Sequence, residues 1–136
     1  MRIIFTSIED STLDQYYRLA CKEMLTLAQS LNQDDNDNYH GAMIETSETT
    51  FISPKTNHTN TVASRMTIAV HNVIAPHNIK SVFAATIRPI HDGKLMLMIT
   101  HQRNTQLNKK DKKLQDQLIQ MVKQQIPQDK LQIKLK

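Results

Sequence analysis

The spacing of apolar residues changes twice along this chain, and that change limits its fold more than any other sequence feature. Apolar residues recur at spacings of three and four over Ser11–Leu31, a stretch without Gly or Pro, which predicts one uninterrupted helix. Over Val62–Ile74 the spacing becomes two, the period of a half-buried strand. Helical spacing returns from Asn108 through Gln125, and Pro127 blocks its continuation.

The other strands are predicted from β-branched and apolar content or from turn signals. They are Arg2–Ile8, Ala42–Ile52, Val82–Ile90, Leu95–His101 and Lys130–Lys136. Asp92-Gly93 is a hairpin signal that joins two of them. The apolar run Leu95–Ile99 predicts a central strand covered on both faces. The last segment alternates Lys with apolar residues, which is typical of a terminal edge strand.

Polar loops are predicted at Asn32–Gly41 and Ser53–Thr61, with a turn at Ala75–Asn78. The resulting order is strand, helix, four strands, helix, strand. This order predicts a single α+β domain over residues 1–136, built as a two-layer sandwich. We expect a mainly antiparallel sheet with both helices packed on one face.

Composition excludes several classes of protein. The chain has 136 residues, of which 39% are hydrophobic, enough for one modest core. A single cysteine, Cys21, excludes an internal disulfide framework and a cysteine-based zinc site, and its place in the first helix predicts a buried structural thiol. Only Gly41 and Gly93 are glycines, so no glycine-rich phosphate loop exists. With no long apolar run and no secretory signal pattern, we expect a cytoplasmic protein without membrane contact, metal or cofactor.

Charge is distributed unevenly and provides the candidate contact residues. Residues 1–50 carry nine acidic and three basic residues, whereas residues 109–136 carry eight lysines and three aspartates. Two clusters stand out, an acidic loop and a basic helix start: Asp34, Asp35, Asp37, Lys109, Lys110, Lys112 and Lys113. Four cations at a helix start oppose the macrodipole, and a local rule broken in this way indicates a functional surface. The acidic loop lacks the glycine and glutamate of a helix–loop–helix calcium site, so it is interpreted as a solvated contact loop.

Six histidines could in principle move protons near neutral pH. His71 and His101 lie on predicted strands and could approach each other across the sheet. The other four fall in predicted loops or turns, where we expect exposed side chains: His40, His58, His77 and His91. A small hydrolase that uses the strand histidines is therefore an alternative hypothesis.

The sequence favours a non-enzymatic binding protein that acts through a protein partner, in the manner of an inhibitor or immunity protein. The first alternative is an RNA- or DNA-binding protein whose Lys109–Lys113 stretch contacts phosphates. The absence of tryptophan and the scarcity of other aromatics, which would stack on bases, weigh against it. Homodimerisation through the edge strand Leu131–Leu135 is a further expectation.

Overall fold

A computed structural model describes residues 11–33, 39–52, 59–75, 78–90, 93–101 and 107–136. In these residues it contains two α-helices and a five-stranded sheet. The helices are α1 (Ser11–Leu31) and α2 (Lys109–Gln125), and a short 3₁₀ turn covers Gln128–Lys130. The strands are β1 (His40–Ile52), β2 (Thr59–Ala75), β3 (Asn78–Ile90), β4 (Lys94–His101) and β5 (Leu131–Leu135).

The strands lie in the sheet in the same order as in the sequence. The first four pair in antiparallel fashion, and β5 pairs in parallel with β4. The parallel pair requires a crossover connection, which α2 supplies. The predicted α+β class, with its mostly antiparallel sheet, is confirmed. The predicted strand Arg2–Ile8 lies outside the described residues.

Both helices pack on one face of the sheet, as predicted. Their apolar stripes and the alternate residues of the inner strands form one core. Its largest fully buried side chains are Tyr17, Met24, Met66, Ile68, Ile87, Leu95, Leu97, Ile99 and Leu118. Neither described helix combines the length and the apolar character that crossing a membrane requires.

Three strands begin earlier than the sequence predicts. β1 begins at His40, β2 at Thr59 and β3 at Asn78, although local composition assigns each start to a loop or turn. The reason is pairing across the sheet, because His40 lies opposite Asn72, and Asn78 opposite Ala75. Ladder hydrogen bonds extend a strand into polar residues that are otherwise typical of loops.

The prediction that β4 is covered on both faces is wrong. Leu95, Leu97 and Ile99 are fully buried under the helices, whereas Met96 and Met98 are half-buried. β4 does lie between β3 and β5, so its central position is as predicted. The helix layer covers only one face of the sheet in the described residues, and methionine tolerates the partly exposed positions on the other.

The turn before β4 depends on Gly93, which has a φ of 66°. An added Cβ would meet no atom within 4 Å, so only the backbone conformation penalises a larger residue. We expect Gly93→Ala to lower the free energy of unfolding by about 1 kcal/mol. Gly93→Asn should lose less, because asparagine tolerates the left-handed region. Urea denaturation measures both variants, and equal losses would contradict this account of the turn.

Candidate functional site

The four lysines predicted as a contact surface are exposed in the first turns of α2. On the helix surface they form one continuous band, in which Lys109 is a neighbour of both Lys112 and Lys113. Lys110 and Lys113 lie on the flank that continues to Gln117, while Lys109 and Lys112 lie on the flank that continues to Asp116. Within the described residues, none of the four ammonium groups forms an ion pair.

Two of these lysines, Lys110 and Lys113, line a groove that the described residues form. The groove lies between the last turns of α1 and the first turns of α2 and has a volume of about 350 Å³. Its lining combines leucines with polar and basic groups: Leu27, Ser30, Leu31, His40, Lys110, Lys113, Leu114 and Gln117. The sequence places the four lysines in one cluster, and the fold assigns just two of them to this concave surface.

An asparagine fixes the wall of the groove that α1 supplies. The Asn32 amide donates to the Ala42 carbonyl, and the Ala42 N–H donates to the Asn32 side-chain oxygen, both at 2.9 Å. The side chain thus pairs with β1 in the way a neighbouring strand would. This double hydrogen bond ties the end of α1 to the sheet and sets the position of Leu27 and Leu31.

A buried hydrogen bond fixes the opposite wall. Nε2 of His40, at the start of β1, donates to Oδ1 of Asp111 in the first turn of α2 at 2.8 Å. The two side chains are only 2% and 7% exposed. The expectation of an exposed loop histidine is therefore wrong for His40, because strand pairing brings it under α2. His58, His77 and His91 lie outside the residues for which side chains are described.

Tyr39 connects this pair to Lys110. Its ring meets that of His40 edge-on, with centroids 4.8 Å apart. Nζ of Lys110 lies 5.0 Å from the Tyr39 ring centroid, within cation–π range. The Tyr39 hydroxyl accepts from the side-chain amides of Asn108 at 3.0 Å and Asn72 at 3.3 Å. Lys110 is thus the lysine of the cluster that a described neighbour holds in place.

The fold partly offsets the cost of placing cations at a helix start. Asn108 caps α2 by accepting from the Asp111 N–H at 2.8 Å. The Asp111 carboxylate places a negative charge in the first turn, where the helix dipole favours it. The Tyr39 ring lies within cation–π distance of Lys110. Lys109, Lys112 and Lys113 have no comparable partner in the described part of the chain.

Serine, histidine and aspartate occur near one another at the groove, and the hydrogen bonds of their side chains connect parts of the fold. Ser30 directs its hydroxyl proton to the Leu27 carbonyl at 2.8 Å. A serine nucleophile instead donates that proton to its base. His40 uses Nε2 in its bond to Asp111, and its ring packs edge-on against that of Tyr39. The groups presented by the groove are therefore suited to binding charge and apolar surface.

The two strand histidines line a second depression, of about 370 Å³. His101 has both ring nitrogens engaged, Nδ1 with the Lys136 carbonyl at 3.1 Å and Nε2 with the Gln115 side chain. His71 lies opposite Gly41, where an added Cβ would come within 2.5 Å of its Nε2. Through these contacts His101 joins β4, β5 and α2.

The remaining sequence candidates lie away from the groove or outside the described residues. Asp34, Asp35 and Asp37 belong to the second group, between Gln33 and Tyr39. Cys21 is fully buried, as predicted, and burial raises the pKa of its thiol to about 12. Among the described residues, no three histidine, cysteine, aspartate or glutamate side chains are grouped to hold a metal ion.

Comparison with models of protein families, with curated proteins and with solved structures gives no match to this chain. The groove is therefore interpreted from its own residues. Sequence reasoning missed His40, Tyr39 and Gln117. Lys109, Lys112 and Asp116 repeat the spacing of Lys110, Lys113 and Gln117, so no sequence signal separates this flank of α2 from the other.

We expect His40→Ala to lower the free energy of unfolding by about 3 kcal/mol, because it leaves the Asp111 carboxylate buried without its donor. Arg18→Gln breaks the more exposed ion pair with Asp14, at 2.8 Å within α1, and should cost about 0.5 kcal/mol or less. Urea denaturation at pH 7 compares the two. The double variant His40→Leu with Asp111→Leu should recover most of the lost stability. Similar losses for His40→Ala and Arg18→Gln would contradict a stabilising role for the buried His40–Asp111 hydrogen bond.

Proposed function

We propose that this chain is a non-enzymatic binding protein that holds an acidic segment of a partner protein in the groove between α1 and α2. The observation that carries the proposal is the placement of Lys110 and Lys113 beside the leucines that form the floor of the groove. Two ammonium groups attract carboxylates, and the small exposed part of the leucine floor offers an apolar contact beside them. A segment with acidic and apolar residues on one face would satisfy both.

The form of the surface supports a protein partner over a nucleic acid. Leu27, Leu31 and Leu114 belong to the core and form the floor of the groove, where they are 7%, 8% and 6% exposed, and a phosphate backbone would not use this apolar floor. The ring nearest the lysines, Tyr39, is half-buried and already occupied by His40 and Lys110, so it is not a free platform for a base. An inhibitor- or immunity-like role is one specific form of this proposal.

Nucleic-acid binding is the second candidate, and one observation favours it. All four lysines of the cluster are exposed on two consecutive turns of α2, which together could contact several phosphates. In that case Lys109 and Lys112 would contribute about as much as Lys110 and Lys113. The two candidates therefore predict different responses to the same pair of substitutions.

The test compares two double variants with the same change of charge, Lys110→Gln with Lys113→Gln and Lys109→Gln with Lys112→Gln. The partner is captured from a lysate of the source organism with and without nuclease, identified, and its affinity measured by calorimetry at two salt concentrations. We expect the first variant to weaken binding by about tenfold or more, since two charged contacts are lost. The second variant should bind within about twofold of the parent chain.

Equal losses of affinity in the two variants would contradict binding of the partner in the groove. Two results together would support the nucleic-acid candidate instead. RNA or DNA is recovered with the chain, and the slope of log affinity against log salt concentration falls by about two for either variant. An affinity unchanged in both would reject the lysines as a contact surface of either kind. Thermal unfolding of both variants controls for the loss of the Lys110 contact with Tyr39.

A further inference from the structure

The outer edge of β5 is open in the described part of the chain, because β5 is the last strand and pairs only with β4. The Lys136 N–H donates to the Ile99 carbonyl of β4 at 2.8 Å. Since alternate residues of a strand direct their amides to opposite sides, the N–H and C=O groups of Ile133 and Leu135 face away from β4. These groups can accept another strand.

A groove with both polar and apolar lining runs beside this edge. It has a volume of about 420 Å³ and is lined by Lys123, Ile126, Gln128, Leu131 and Ile133. The side chains of β5 on the helix side are half-buried at Leu131 and Ile133, and Leu135 is 58% exposed. The core layer is thus unfinished at this edge, and one more strand with apolar side chains on the helix side would extend it.

The lysines of β5 determine which kind of strand can pair with its outer edge. The other side of β5 presents Lys134, and Lys130 and Lys136 flank the strand. In an antiparallel pair of two copies centred on Ile133, Lys130 of one copy faces Lys136 of the other. Centring on Gln132 or Lys134 again opposes lysines, and like charges directly opposite destabilise a pair. The expected homodimer through Leu131–Leu135 is therefore disfavoured by its own charges.

We propose that the β5 edge binds an extended segment of a partner protein in which aspartate or glutamate alternates with apolar residues. The apolar side chains would enter the groove beside Ile126, and the carboxylates would meet Lys130, Lys134 and Lys136. Main-chain hydrogen bonds to Ile133 and Leu135 would supply affinity, as in other cases of strand addition. This surface lies at the opposite end of α2 from Lys110 and Lys113, and the proposal does not rest on the function proposed for that groove.

The test uses the full chain and fluorescence anisotropy of a labelled short peptide of alternating Glu and Val. A peptide of alternating Lys and Val is the charge control and should not bind. Leu135→Pro removes an outward N–H without removing a bond to β4, and proline is tolerated on an edge strand. We expect this variant to weaken binding of the Glu–Val peptide by about tenfold and Leu135→Ala to bind within about twofold of the parent.

A second variant keeps the proposal testable if proline disturbs folding. Lys134→Glu with Lys136→Glu should reverse the preference, so that the Lys–Val peptide binds and the Glu–Val peptide does not. Lys110→Gln with Lys113→Gln should leave both peptides unaffected, which separates this surface from the groove between the helices.

Several outcomes would overturn the proposal. One is failure of the parent chain to bind the Glu–Val peptide. Another is equal binding of the two peptides, which would remove the role of the lysines. Sedimentation that shows a dimer of the parent and a monomer of Leu135→Pro would assign the edge to a second copy instead.

Discussion

The hydrogen bond between His40 and Asp111 fixes the position of α2 on the sheet, and the candidate site depends on that position. It joins the first residue of β1 to the first turn of a helix that lies far away in the sequence. Because both groups are buried, loss of either one would leave the other as an unpaired buried polar group. Asn32 fixes the end of α1 against Ala42 in the same region. Together these contacts set the width of the groove.

The two surfaces lie at opposite ends of α2 and arise from one constraint. When helices cover a single face of a sheet, the flanks of the helices and the edges of the sheet stay exposed. A binding partner can extend the core at these places. At the first turns of α2 the flank carries Lys110 and Lys113 beside leucines. Past its last turn, β5 is the edge strand among the described residues and carries lysines beside Ile126 and Ile133. Both surfaces combine apolar contacts with positive charge, which suits acidic segments of proteins.

Periodicity predicts both helices and the terminal position of β5, and β-branched content and turn signals predict most of the other strands, because all of these signals are local. Local pattern does not predict the burial of His40, since that burial comes from pairing with Asn72 and from the approach of α2. It does not predict the exposed side of β4 either, because methionine suits both covered and partly covered faces. For the site, the sequence identifies the lysine cluster, but only the position of α1 separates Lys110 and Lys113 from Lys109 and Lys112.

The most direct test of this account is the reactivity of individual lysines. The full chain, free and in complex with the partner captured from its source lysate, is acetylated briefly, and each lysine is quantified by mass spectrometry. The account predicts that Lys110 and Lys113 are protected in the complex while Lys109 and Lys112 react as they do in the free chain. Equal protection of all four lysines, or protection of Lys109 and Lys112 alone, would contradict it.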